Sequence, residues 1–195
     1  MKEHTTTGSL EKEGIRSVNS MVMIAAMAAV LCVLAPFSLA IPFSMVDISL
    51  TNLVLFVIIY VEGFRRATVS YLVYLLVGLA GMPVFSGFGS GFAKVVGPSG
   101  GYLIGMIFMT IISGYVIEKT SKQYLHFAGM AVGSIVNYIF GTAWMGYSLG
   151  MSFSAALAAG VIPFIPGDLA KMAAACIIGP VLRSRLKKSG VIGRK

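Results

Sequence analysis

Residues 18–186 are a succession of apolar runs broken by short polar or charged connections. A helix needs about 20 mostly apolar residues to cross about 30 Å of hydrocarbon. On that ruler six spans are expected, near 18–41, 48–61, 67–81, 101–117, 127–147 and 162–186. Only 11% of the residues are charged, whereas a soluble domain carries about 25%. Too few polar groups remain to cover a globule in water. With a mean hydropathy of +0.88, the chain is expected to be an all-α integral membrane protein. That excludes a soluble enzyme, a DNA-binding domain and a disordered tail, despite a net charge of +8. In a membrane protein a basic excess sets topology and meets anionic lipid, so lipid rather than nucleic acid is the expected partner.

The spans fall into one domain, 17–188, between a polar N-terminal extension at 1–16 and a basic C-terminal tail at 189–195. The first run exceeds the roughly 7–15-residue core of a secretory signal. Pro42 and another apolar run follow it, so a retained helix is expected. Gly63, with Arg65 and Arg66 beside it, predicts a tight charged turn between the second and third spans. Cys32 and Cys176 lie in apolar runs without metal-ligand spacing and read as packing residues.

Six spans put both termini on one side. That side would hold Lys2, Lys12, Arg16, Arg65, Arg66, Lys119, Lys122, Arg183, Arg185, Lys187, Lys188, Arg194 and Lys195. Thirteen of the fifteen basic residues thus share a face, which the positive-inside rule makes cytoplasmic. Five or seven spans would scatter them.

Lys94 and Lys171 are left for the outer half, with Asp47 and Asp168 as acidic counterparts. Asp168 and Lys171 lie in the sixth apolar segment, just after Pro163, Pro166 and Gly167. Ionisable groups at membrane depth are costly and face a partner or a cavity. At i, i+3 on a helix these two share a face. They can neutralise each other, form the polar end of a solute pocket, or do both with a ligand bridging them.

Residues 81–92 interleave glycines with Phe85, Phe88 and Phe92. Glycine lets a backbone approach a ligand closely, and the rings offer flat apolar surfaces. A lid over an outer pocket or a re-entrant segment packed in the bundle would both have this make-up. Next comes Gly97-Pro98-Ser99-Gly100-Gly101-Tyr102, directly before the fourth span. Proline and small residues suit a helix start, and the free amides there favour an anion such as a carboxylate. The same string fits the G-x-S-G of intramembrane serine hydrolases. A serine nucleophile needs a base within reach, yet His4 and His126 are expected on the opposite side from Ser99, and nothing in the spacing of Lys94 or Lys171 favours a Ser-Lys pair.

Ala25 and Ala29 form an A-x-x-x-A step in the first span, and Gly101/Gly105, Gly129/Gly133 and Gly146/Gly150 repeat the spacing later. Small residues so placed let helices approach closely. Asn137, Tyr138 and Trp144 lie in the fifth span, Asn137 as a buried amide needing partners and Trp144 as an interfacial anchor. There is no Walker A sequence, HExxH motif or metal cluster. Uphill transport by such a chain would have to draw its energy from elsewhere.

Three strings together carry a resemblance: Gly81-Met82-Pro83-Val84-Phe85, then Gly97-Pro98-Ser99-Gly100-Gly101-Tyr102-Leu103-Ile104-Gly105, then Pro163-Phe164-Ile165-Pro166-Gly167-Asp168-Leu169-Ala170-Lys171. With them the chain closely resembles the BioY family over roughly 20–186. These are biotin-specific S components of energy-coupling factor (ECF) vitamin transporters. The P-F-I-P-G-D-x-x-K string is the most specific of the three. One departure stands out: the Pro-x-Thr-Leu-Gln run of many relatives reads Asp47-Ile48-Ser49-Leu50-Thr51-Asn52 here, so the Gln is absent and Asn52 stands nearby.

The resemblance implies a six-helix protein of a prokaryotic-type plasma membrane that captures biotin from outside. It further implies a transmembrane coupling (T) component and two cytoplasmic ATPases as partners, ATP being used only by them, with no cofactor or metal on this chain. Ala25 and Ala29 correspond to the surface that meets the coupling component, and the pocket is expected in the outer half. Asp168 is then expected to accept from the ureido N–H groups of biotin, with Lys171 donating to the ureido oxygen and Asn137 as a further candidate. Phe85, Phe88, Phe92 and Tyr102 would pack on the rings. Ser99, Gly100, Gly101 or Lys94 would meet the carboxylate, and the reverse orientation, with Lys171 on the carboxylate, is also open. The other readings are a facilitator acting without ATPases and a serine hydrolase using Ser99.

Overall fold

The computed structural model describes residues 18–39 and 48–190. The extension expected over 1–16, and 191–195 of the C-terminal tail, lie outside them. The described chain is almost wholly helical: α1 Val18–Leu34, α2 Thr51–Glu62, α3 Phe64–Leu79, α4 Gly91–Val96, α5 Gly100–Lys119, α6 Gln123–Leu149, α7 Phe153–Gly160 and α8 Ile165–Lys188. Among the described residues α5, α6 and the continuous stretch Phe153–Lys188 are long and apolar enough to cross a membrane, while α1 and α2 are shorter apolar helices.

α1 stops at Leu34, short of the expected end near residue 41. Pro36 has no N–H to give and bars helical geometry from the residue before it. The chain instead turns into Ser38–Leu39, which pairs antiparallel with Ile48–Ser49, Ser38 opposite Ser49. Ser49 then ties this small ribbon to its surroundings, its Oγ reaching Ala35 O at 3.4 Å and accepting from Thr51 N at 3.0 Å.

The charged turn between α2 and α3 is a single residue, Gly63, at φ 79°. That backbone region favours glycine. Glu118 at the end of α5 accepts from Phe64 N at 2.9 Å, so a carboxylate caps the start of α3. A Cβ on Gly63 would sit 2.1 Å from the same carboxylate oxygen.

α5 and α6 pack closely because glycines alternate across their contact. A Cβ on Gly105 would fall 2.5 Å from Asn137 Oδ1, and one on Gly133 would fall 2.4 Å from Ser113 Oγ. The expected packing roles of Gly105 and Gly133 are met there, whereas Gly150 turns the chain out of α6 at φ 63°. α7 is a helix where only a connection was expected. Ser152 caps it by accepting from Ala155 N at 3.3 Å. A 3-10 turn over Ile162–Phe164 leads into α8, whose first turn carries Pro166 and Asp168. Proline there loses no helical hydrogen bond.

Contacts orient the bundle. Tyr60 meets His126 and Cys176, and His126 meets Thr120. Phe64 meets Glu118 as described above. One end therefore gathers Arg65, Arg66, Lys119, Lys122, Arg183, Arg185, Lys187 and Lys188. The ribbon, the glycine-rich loop, α4 and α7 lie at the other end. Of the thirteen basic residues sorted to one side by the sequence, these eight lie together, and Lys2, Lys12, Arg16, Arg194 and Lys195 fall outside the described residues.

Candidate substrate site

Asp168 occupies the first turn of α8, where the positive end of the helix dipole favours a carboxylate. It is buried, at 4% exposure. Lys171, one turn on, places Nζ 2.9 Å from Asp168 Oδ1. The other oxygen, Oδ2, accepts from Tyr138 Oη at 2.5 Å. A carboxylate, an ammonium and a phenol thus converge between α6 and α8.

Tyr138 of the triad lines a cavity of about 440 Å³ among α6, α7 and α8, while Asp168 and Lys171 stand behind that wall. Tyr138 and Thr142 reach it from α6, Leu157 from α7, and Ile165 and Leu169 from α8. Apart from Ser134, its other walls are apolar. A largely apolar recess with a few convergent polar groups is the usual make-up of a small-molecule site.

Asn137, next to Tyr138, faces the other way, toward Gly105 of α5. It is 2% exposed and its Oδ1 has no hydrogen-bond partner. Thr142 Oγ1, Asn52 Oδ1 and Ser86 Oγ are likewise buried without a partner. Such groups carry a desolvation penalty until a donor or acceptor reaches them.

Tyr102 is buried between α5 and α7, its Oη donating to Gly160 O at 2.9 Å and its ring filling the space left by Gly141. Ser99 stands at the start of α5 with Oγ 3.5 Å from Lys94 O. Gly100 N donates to Gly97 O at 2.9 Å, and a Cβ on Gly100 would strike Val95 O at 1.6 Å. Gly101 packs on Trp144, whose indole donates to Gly97 O at 3.0 Å. Trp144 lies six residues beyond Tyr138 on α6, so the α5 start stands about 9 Å farther out along that helix. Asp168 and Lys171 are therefore brought together, while Ser99, Gly100 and Gly101 form a separate group above them.

The three loop phenylalanines part company. Phe85 is fully buried, edge-on to Tyr74 at 5.6 Å and seated over Gly78. Phe88 and Phe92 are 60% and 71% exposed. Phe88 meets Phe37 edge-on at 5.8 Å. Lys94 lays its methylenes over Gly89. On α1, Ser20, Ile24, Ala28 and Leu31 face inward, whereas Ala25 and Ala29 are exposed.

The sequence profile of the BioY family matches residues 4–188 of the chain. The chain belongs to the BioY family. It is 34% identical over 164 residues to biotin transporter BioY2 of Lactococcus lactis subsp. cremoris, covering 84% of this chain and 89% of that one. It is 37% identical over 138 residues to a probable biotin transporter BioY of Pyrococcus horikoshii, covering 70% and 81%. The crystal structure of the S-component for biotin from an ECF-type ABC transporter aligns with a TM-score of 0.79 at 25% identity, over 92% of this chain and 95% of that one. These BioY relatives are transporters, not enzymes. In this BioY chain Ser99 has a backbone carbonyl for its partner, and His126 is engaged at the far end of the bundle.

Tyr138 is the residue that sequence reasoning left out of the site. Two polar residues stand side by side at 137 and 138, and successive helical positions point about 100° apart. Only the placement of α8 against α6 decides which of them meets Asp168.

Proposed function

We propose that this protein is the biotin-binding S component of an ECF-type importer, capturing biotin from outside and passing it inward with ATP hydrolysed by partner subunits. The observation that carries the reading is the buried Asp168, paired with the half-buried Lys171 and Tyr138, the last of which lines an apolar cavity, in a chain of the BioY family. Biotin has two ureido N–H donors, a ureido oxygen, an apolar thiolane ring and a carboxylate on an alkyl chain. Asp168 accepts from the ureido N–H groups, Lys171 donates to the ureido oxygen, and Tyr138 holds the carboxylate of Asp168 in place. Tyr102 closes the site from the α5 side, and Asn137, on the opposite face of α6, stands outside it. The alkyl chain then runs outward to Ser99, Gly101 and Lys94, with Phe88 and Phe92 closing over it.

In the same reading α1, α2, α3, α5, α6 and α8 are the six spans, with both termini cytoplasmic in a prokaryotic-type plasma membrane. α2 has 12 residues, about 18 Å of rise, and the ribbon before it makes up the remaining depth. The Ala25/Ala29 face is exposed among the described residues and receives the coupling component, through which two ATPases act.

Titrating the detergent-purified chain with biotin by calorimetry, with emission of the single tryptophan followed in parallel, is the direct test. Saturable one-to-one binding without ATP is expected. No binding by folded protein would refute the assignment. Vesicles containing the chain alone should not accumulate biotin; accumulation would replace the coupled importer with a facilitator.

A further inference from the structure

A second cavity, of about 490 Å³, opens at the end opposite the triad. Its floor is Tyr60, Ile117, Thr120 and His126, and its wall is the last part of α8, including Arg183, Lys187 and Lys188. The floor is fully engaged. His126 Nε2 lies 2.9 Å from Thr120 O and Nδ1 lies 3.2 Å from Tyr60 Oη. A carbonyl oxygen only accepts, so Nε2 donates to Thr120 O, and Nδ1 faces the Tyr60 hydroxyl. The ring is held from both sides.

The wall is different. Arg183 and Lys187 are four residues apart and half-buried on one face of α8. Among the described residues no carboxylate lines the cavity, and neither Arg183, Lys187 nor Lys188 has an ion pair. Glu118 and Glu62, the acidic residues at this end among those described, accept from Phe64 N and Ser70 Oγ. Cations in a last helical turn do oppose the helix dipole, but Arg183 stands more than a turn before the end and still faces the recess.

We infer that this cavity binds the phosphate headgroup of an anionic phospholipid of the cytoplasmic leaflet. A bidentate guanidinium and two ammonium groups suit a phosphodiester, and the apolar flank of Pro180 and Ile117 suits the glycerol end of the chains. Basic recesses between membrane helices on the cytoplasmic side are where such headgroups lodge. The placement in that leaflet rests on the topology proposed above; the biotin site is at the other end.

The test is native mass spectrometry of the full chain released from vesicles of equal phosphatidylglycerol and phosphatidylcholine. The wild type should retain one phosphatidylglycerol in preference. Each basic residue is worth about fivefold in occupancy, so the triple variant Arg183→Gln, Lys187→Gln, Lys188→Gln should lose the preference on the order of a hundredfold. Arg183→Gln alone should lose part of it. Arg65→Gln with Arg66→Gln, at the same end but outside the cavity, should keep it. Calorimetry with biotin, expected unchanged in the triple variant, reports folding and tests the biotin site separately. Equal retention of both lipids by the wild type, or a preference that survives the triple variant, overturns the inference. So does displacement of the lipid by equimolar glycerol phosphate, which would make the ligand a soluble phosphate. Loss of coupling-component capture in the triple variant with lipid retention intact would likewise assign the cavity to a protein contact.

Discussion

The two ends of the bundle handle buried polarity in opposite ways. Around Tyr60 and His126 each polar side chain has a partner, and the network ties α2, α6 and α8 together. From the level of Asp168 outward, Asn52, Ser86, Asn137 and Thr142 are buried with an unpartnered oxygen, against one such atom, Glu62 Oε1, at the inner end. Evolved interiors rarely tolerate such groups without a reason. The inner network reads as a clasp that fixes helix positions, and the outer half as a surface held ready for hydrogen bonds that a ligand supplies. Changes at the outer end should therefore act mainly on biotin affinity, and changes at the inner end on stability.

Asp168→Asn should have the largest effect. It leaves Lys171 as a buried cation without its counter-charge, at a cost of about 3–5 kcal/mol, and biotin affinity measured by calorimetry should fall at least about a hundredfold. Asp168→Asn combined with Lys171→Met removes both charges, so thermal stability should recover while biotin binding does not. A double variant that binds biotin like the wild type would make the pair purely structural and break the contrast.

His126→Ala should be next in size and opposite in kind. It removes two hydrogen bonds and leaves Tyr60 Oη with only the sulfur of Cys176, a loss of about 2–4 kcal/mol in stability. Thermal unfolding followed by size-exclusion should show it, with biotin affinity within twofold of the wild type. A tenfold loss of affinity would mean that the two ends are not independent. Tyr138→Phe should be smaller again: one hydrogen bond to a carboxylate is worth about 1.5–3 kcal/mol, so biotin affinity should drop about tenfold or somewhat more, with little change in unfolding temperature.

What the sequence disclosed follows the same division. The apolar runs, the one-sided charges and the i, i+3 spacing of Asp168 and Lys171 are local properties, and each has its counterpart in the fold. The orientation of a side chain toward another helix is not local. Tyr138 and Asn137 are indistinguishable until α8 and α5 are set on either side of α6. The end of α1 at Leu34 was written in Pro36, but the hydropathy of the residues after it carried the expected span to 41. α7 is only eight residues, too short for a hydropathy reading to separate from a connection, and its start depends on one serine cap.

The loop phenylalanines give the finest version of the comparison. Phe85, Phe88 and Phe92 share a glycine-rich setting, yet Phe85 is in the core because Gly78 on α3 leaves room for its ring. Phe85→Ala should therefore cost about 3–5 kcal/mol of stability, a core effect. Phe92, with most of its surface open, has little to lose in the free protein, and Phe92→Ala should leave the unfolding temperature alone. If the loop closes over biotin, burying even part of that ring contributes about 1 kcal/mol to the bound state. Such a contact forms after encounter, so it slows escape rather than speeding arrival. Stopped-flow dissociation of biotin, read by Trp144 emission, should be about fivefold faster in Phe92→Ala, with association unchanged. An unchanged dissociation rate would place Phe92 against lipid and leave the site without this part of its lid.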